Sequence, residues 1–182
     1  MSSPSVVAVS GNPRAGSRTL GAARAAAERL AALAGGGPAA VEVVDLAVLA
    51  GELLAPAHPA ADAALARLAA ADVAVVATPV YKASYTGLLK AFLDLYGPDG
   101  LAGVVAVPLV VSGSPAHALA GEVHLRPVLV ELGAVVPARS LTLTEAQLAD
   151  LEPALDAWLE RAAGPLRRAL GLPAADLAGV AR

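Results

Sequence analysis

The sequence predicts an α/β domain built on a doubly wound, five-stranded parallel sheet of order 2-1-3-4-5. Three observations predict it. Five short valine-rich runs punctuate the 182 residues, and helical patterns separate them from end to end. The runs are continuously apolar rather than alternating, which is the pattern of strands covered on both faces. The length fits one domain, for which this strand order is the most economical arrangement. We expect that domain over residues 1–170, followed by a Pro/Ala/Gly-rich tail over 171–182 that frays.

The first run, Val6–Ser10, ends in a Gly/Pro/Ser loop, and a helical pattern follows over Thr19–Ala34. Gly35–Pro38, three glycines and a proline, stops that helix. Val41–Asp45 is the second strand and Asp62–Ala70 the second helix. Val73–Thr78 and Thr86–Tyr96 are the third pair, and Val104–Val111 with Ala116–Leu132 the fourth. Val135–Leu143 supplies the fifth strand and Glu145–Leu170 the last helix. Pro108 falls inside the fourth strand, where a missing N–H predicts a bulge or a strand end. Thr144 and Gln147 have the spacing of a capping box for the last helix. Pro127, Pro153 and Pro165 predict kinks or breaks.

Composition excludes several functions. The chain is 57% hydrophobic, but 46 alanines account for much of this, and charges interrupt every apolar stretch. No run reaches the roughly 18 apolar residues needed to span a bilayer. A net charge of −3 without a basic stripe argues against nucleic acid as a partner. The absence of cysteine excludes disulfides, thiol catalysis, iron–sulfur ligation and thiolate zinc. No histidine or carboxylate cluster has metal-ligand spacing. Neither a basic n-region nor an apolar h-region precedes Val6, so a cytoplasmic placement is expected.

In such a sheet, ligands bind outside the carboxyl ends of the strands, where the strand order reverses. The polar residues concentrate there. Strand 1 is followed by Ser10-Gly-Asn-Pro-Arg-Ala-Gly-Ser-Arg-Thr19, strand 3 by Thr78-Pro-Val-Tyr-Lys-Ala-Ser-Tyr-Thr-Gly87, and strand 4 by Ser112-Gly-Ser-Pro-Ala-His117. The first loop opens a helix, where free N–H groups and the dipole favour an anion. Ser17, Arg18 and Thr19 add hydroxyl and guanidinium donors. Serine and threonine at a helix start also serve merely as caps, so this loop alone does not decide the matter. Gly11 and Gly16 have P-loop spacing, but Ser17 stands where lysine is required, and G-x-G-x-x-G is absent. Serines in glycine-rich loops do not form a nucleophile elbow.

Of five aromatics, four lie between Tyr81 and Tyr96. Tyr85, Phe92 and Tyr96 share a helical face suited to packing. Tyr81, after Pro79 and Val80, instead offers an apolar edge for a planar ring. Ser112, Gly113 and Ser114 can present backbone donors to a ring that carries developing negative charge. His117 stands at the following helix start, while His58 and His124 read as structural, and Glu42, Asp45 and Glu52 as strand-end or surface charges. A phosphate pocket, a ring platform and backbone donors together suggest a phosphorylated planar cofactor, better matched by flavin mononucleotide (FMN) than by a nucleoside triphosphate.

Three segments carry a family resemblance: Ser10 to Thr19; Ala77-Thr-Pro-Val-Tyr-Lys-Ala-Ser-Tyr-Thr-Gly-Leu-Leu-Lys90; and Ala116-His117 with Leu125-Arg-Pro-Val-Leu129. They resemble the NADPH-dependent FMN reductase family, and within it the reductase component of two-component alkanesulfonate monooxygenases. The likeness covers roughly residues 6–145. It implies a flavodoxin-like three-layer fold, FMN and NADPH or NADH as cofactors, and hydride transfer from nicotinamide C4 to flavin N5 without a strong acid or base. It implies that Ser10, Arg14, Ser17, Arg18 and Thr19 bind the FMN phosphate and side chain, with Arg14 also near the pyridine nucleotide. Pro79, Val80 and Tyr81 would line the isoalloxazine, Ser112, Gly113 and Ser114 its pyrimidine edge, and His117 stands beside them.

Free flavin, pyridine nucleotide and a flavin-dependent monooxygenase are the implied partners, in a homodimer or homotetramer. Alkanesulfonate-type reductases carry an inserted tyrosine that forms a π-bulge in the fourth helix at a tetramer interface. Here the stretch is Gly121-Glu-Val-His124, with His124 in that place. The sequence therefore leaves open whether the bulge persists and whether flavin exchanges or stays bound. Two other readings stand beside the reductase: an FMN-retaining quinone or azo reductase, and a flavodoxin-type electron carrier. The modest net charge and the pair Arg14 and Arg18, suited to a second anionic nucleotide, favour an enzyme over a carrier.

Overall fold

Parallel pairing of the valine-rich runs organises the chain, in a computed structural model that describes residues 4–37 and 41–173. The strands are β1 (Val6–Ser10), β2 (Val41–Asp45), β3 (Val73–Pro79), β4 (Val105–Ser112) and β5 (Leu141–Thr144). They form one sheet of order β2-β1-β3-β4-β5, and every pairing is parallel. Helices α1 (Arg18–Leu33) and α5 (Glu152–Ala169) cover one face; α2 (Pro59–Ala69), α3 (Gly87–Leu93) and α4 (Arg126–Glu131) cover the other. Alternate residues of each strand go to opposite layers. Val6 and Ala8 pack against α1, whereas Val7 and Val9 join the α2–α3 side. The continuous valine runs thus reflect a sheet buried on both faces.

Alanine packs the α1 side. Ala22, Ala23, Ala26, Ala27 and Ala31 are all buried, and such small side chains let the helix lie close on β1 and β3. Ser17 caps α1 by accepting the Leu20 N–H at 3.2 Å. The helix closes with a Schellman pattern, in which Gly36 N–H bonds the Ala31 carbonyl and Gly35, at φ +81°, bonds that of Ala32. Pro38 and residues 174–182 of the expected tail lie outside the described residues.

Several expectations are corrected. The fifth strand begins at Leu141, not Val135. Val135 makes one isolated bridge to Val105, and Pro137, without an N–H, interrupts the pairing. The intervening backbone is used elsewhere: Arg126 donates to the carbonyls of Val136 and Ala138 at 2.6 and 2.9 Å, and the Trp158 indole donates to that of Arg139. The expected last helix divides into a 3-10 segment, Glu145–Ala149, which carries the Thr144/Gln147 capping interaction, and α5. The expected fourth helix is composite, with a 3-10 turn at Pro115–His117, a π-turn at Gly121–Leu125, and then α4.

The prolines have local reasons. Pro153 occupies the first turn of α5, where an N–H would be unpaired in any case, whereas Pro127 follows directly on the π-turn. α5 runs on through Pro165, forgoing one bond to the Arg161 carbonyl. Pro108 breaks nothing. Val105 N–H bonds Asp72 and the Val111 carbonyl bonds Val80, both on the β3 side, whereas Ala106 N–H bonds Val135 on the other. Pro108 has the parity of Ala106, and it faces the gap between Val135 and the start of β5 pairing at Leu109–Leu141. No ladder donor is required of it there.

Candidate functional site

The three polar loops follow the carboxyl ends of β1, β3 and β4; the first two share a cavity that no residue of the third lines. The first is held rigidly from below. Asn12 is buried, accepts the Arg14 N–H at 3.0 Å and donates to the Thr19 hydroxyl at 3.1 Å. Gly16, in the left-handed region at φ +63°, donates its N–H to Asp45 at 2.9 Å. Asp45 also caps the 3-10 turn that follows β2, so the end of β2 fixes the position of the first loop. Gly11 N–H bonds the Ala77 carbonyl, and a Cβ on Gly11 would come within 2.5 Å of the Leu89 Cβ. Only glycine fits this close approach of β1 to α3.

Thr86 links the first and second loops. Its hydroxyl donates to the Gly11 carbonyl at 2.5 Å and accepts the Leu89 N–H at 3.1 Å, while its own N–H bonds the buried Thr78 hydroxyl. Beyond Thr78 the chain makes a two-residue hairpin. Tyr81 and Ser84 exchange backbone bonds across Lys82 (φ 51°) and Ala83 (φ 66°). Both central residues are left-handed without being glycine, a local strain of about 1 kcal/mol or more each. The turn carries Tyr81, 44% exposed, at the lip of the crevice.

A cavity of about 340 Å³ opens between these elements. One side carries Asn12, Arg14, Ser17, Arg18 and Thr19; the other carries Pro79, Tyr81, Val111 and Leu148. The N–H groups of Arg18 and Thr19, in the first turn of α1, have no protein acceptor among the described residues. The Ser17 and Thr19 oxygens each accept a bond from the protein, which leaves their hydroxyl protons free to donate outward. With two guanidinium groups, this donor set suits a phosphate, and the apolar wall opposite suits a planar ring. Glu145 also lines the cavity and holds Arg18 at 2.8 Å.

Of the residues singled out in the sequence, Arg14, Ser17, Arg18, Thr19, Pro79 and Tyr81 line this cavity. Ser10 lies buried beneath the loop with its oxygen facing the Asn12 N–H. Val80 follows Pro79 and bonds the Val111 carbonyl. Ser112 is buried and donates to the Ser114 carbonyl, and Ser114 caps the Pro115–His117 turn, so both hydroxyls serve the loop itself. Gly113 lies between them with open space at its Cα. His117 lines a separate recess of about 180 Å³ with Ala83, Leu119, Val123 and His124. Asn12 and Glu145 have no assigned role in the sequence, and Asp45, read there as a strand-end or surface charge, holds the first loop through Gly16. A larger cavity, about 520 Å³, lies along β5 and α5 beside Trp158, and no residue of the first two loops lines it.

The fourth helical segment keeps a π-turn without a tyrosine. Arg126 N–H reaches the Gly121 carbonyl, five residues back. Pro127 has no N–H to offer the Val123 carbonyl, which favours this wider turn. Gly121 permits close packing, since a Cβ there would lie 2.7 Å from Ser140. Glu122 accepts the Ser140 N–H and hydroxyl at 2.6 and 2.7 Å. Burial pushes its carboxyl up, but the two Ser140 bonds together with Arg126 and Arg139 outweigh this and hold it below the ordinary value. Burial raises the Tyr96 phenol, whose hydroxyl donates to the Leu65 carbonyl. His58 pairs with Asp62 at the start of α2.

Residues 4–147 match the family described as NADPH-dependent FMN reductase. The chain belongs to that family. Its relatives include FMN reductase (NADPH) of Escherichia coli, 50% identical over 68 residues that cover 37% of this chain and 36% of the relative. The NADH-dependent FMN reductase SfnE of Pseudomonas putida is 34% identical over 153 residues, 82% of each chain. Among solved structures, the apo form of an NADH:FMN oxidoreductase (EMOB) superposes with TM-score 0.73 at 33% identity, covering 95% of this chain and 92% of that one. The match spans between about a third and half the length of the two NADPH-dependent relatives from E. coli and P. putida. The sheet order of this FMN reductase family member is the one expected from its valine runs, and its flavodoxin-like fold is the one the resemblance implies.

Proposed function

We propose that this chain is an NAD(P)H-dependent FMN reductase that supplies reduced FMN to a partner monooxygenase. One observation carries the reading: the 340 Å³ cavity at the β1/β3 switch point sets phosphate donors opposite an apolar wall. When bound, FMN supplies the hydride-accepting ring and NAD(P)H the hydride, with one proton taken from solvent. The Arg18 and Thr19 N–H groups and the Ser17 and Thr19 hydroxyls would hold the FMN phosphate. Pro79, Tyr81 and Val111 would bound the ring and exclude water from one side. Arg14, exposed at the rim, is suited to the anionic part of the pyridine nucleotide.

Among the described residues, the only carboxylate lining the cavity is Glu145, and Arg18 holds it. This suits a reaction that depends on stacking and distance rather than on a strong acid or base. The monooxygenase partner rests on the resemblance of the three loop segments to alkanesulfonate-type reductases. Exposed Leu119, just before the π-turn, Val123 within it and Val130 on α4 support assembly as a homodimer or homotetramer. No helix among the described residues is long and apolar enough to cross a membrane, and a cytoplasmic placement belongs to the same reading.

The test is oxidation of NADPH or NADH by the purified protein with and without free FMN. Oxidation that rises and saturates with added FMN supports the reading. A protein that turns over equally without added FMN, given a quinone, would replace it with an FMN-retaining reductase. No oxidation under either condition would refute both.

A further inference from the structure

We propose that Glu145 makes FMN an exchanging substrate: its carboxylate occupies Arg18 and places negative charge in the cavity that takes the phosphate. The inference rests on the reading of that cavity as the FMN site. Arg18 Nη2 and Glu145 Oε2 lie 2.8 Å apart although the residues are 127 positions apart in sequence, and both line the 340 Å³ cavity. Glu145 is not there by accident of a flexible loop. It follows Thr144, the last residue of β5, whose N–H and hydroxyl both donate to the Gln147 side chain at 2.8 and 3.0 Å. Thr144 is in register with Ser112 of β4, so the sheet itself delivers the carboxylate to the site.

The other nearby carboxylate, Asp45, is committed to the N–H groups of Gly16 and Ala47. Arg14 has no ion-pair partner among the described residues, so Arg18 is the guanidinium that is held back. A phosphate entering the cavity competes with Glu145 for Arg18 and is repelled by the same charge. Both partners are more than half exposed, at 65% and 58%. Such a pair yields to a ligand rather than blocking it. The consequence is an affinity held down without loss of the donor set, which is what a flavin handed to another protein requires. Glu145 acts on flavin through Arg18 and through its charge; it is a positioning residue.

The experiment is the binding of FMN and of riboflavin, which lacks the phosphate, to the wild type and to Glu145→Gln, read by quenching of flavin fluorescence. The glutamine keeps the size of the side chain and removes the charge. FMN should bind about fivefold tighter to the variant, the factor that corresponds to one exposed ion pair. Its release should slow accordingly, and riboflavin binding should stay within about twofold, because no charge–charge contact is involved. The gain should shrink at about 1 M salt, where screening acts within roughly 3 Å. Unchanged or weaker FMN binding by the variant, or a parallel change for riboflavin, overturns the role of Glu145. A wild type that binds FMN no better than riboflavin overturns the phosphate site itself, and the inference falls with it.

Discussion

Thr86 joins the ligand loop to the sheet, and replacing it by valine tests that joint with almost no change of shape. Thr86 is 3% exposed, and its hydroxyl serves the Gly11 carbonyl at 2.5 Å and the Leu89 N–H at 3.1 Å. Valine leaves both groups buried without partners. Each costs about 1–3 kcal/mol, and the cap of α3 is lost as part of the same change, so the expected total is about 2–6 kcal/mol. For a chain of this size, that lowers the melting temperature by roughly 4–24 °C. Thermal unfolding followed by circular dichroism measures it directly. Thr86→Ser, which keeps the hydroxyl and loses only a methyl, should cost about 1 kcal/mol or less. If Thr86→Val melts within about 2 °C of the wild type, or the serine variant falls as far as the valine variant, the hydroxyl does not hold the loop.

Three further outcomes are expected. Ser17→Ala with Thr19→Ala should weaken FMN binding at least about tenfold, the scale of two lost donors to a charged group. It should also lower the melting temperature by a few degrees through the lost α1 cap; unchanged affinity in a titration would remove the phosphate role. Arg14→Ala should raise the apparent KM for NADPH more than for NADH if Arg14 meets the 2′-phosphate, and equal effects would reject that contact. For Glu122, the folded carboxyl lies below its ordinary value of 4.5, so its ionised form stabilises the fold above that pH and the contribution is lost as pH falls through the lowered value. Melts of Glu122→Gln against the wild type should therefore differ near neutral pH and converge on acidification below 4.5; a gap that is constant with pH would contradict the charge-based role.

The sheet and its order were legible because burial on both faces leaves a direct mark, an unbroken valine run, and because the polar loops fall at alternate junctions. The same logic misplaced the fifth strand. Val135 and Val136 look like strand, but Pro137 interrupts the ladder and the carbonyls of Val136 and Ala138 are taken by Arg126. Half of the chosen site residues line the cavity because a helix start and a Pro-Val-Tyr segment have recognisable local chemistry. Asp45 and Glu145 do not. They reach the site from the ends of β2 and β5, and their roles depend on register between strands far apart in sequence. The left-handed Lys82–Ala83 turn was hidden for a different reason, since neither residue favours that conformation and only the pairing of Tyr81 with Ser84 imposes it.

A crystal structure of the protein with FMN would show where the flavin sits. The phosphate is expected at the start of α1, within hydrogen-bond distance of Ser17, Thr19 and the Arg18 N–H, and the ring against Pro79 and Tyr81. FMN found instead in the larger cavity beside Trp158, with the β1 and β3 loops empty, would contradict this placement.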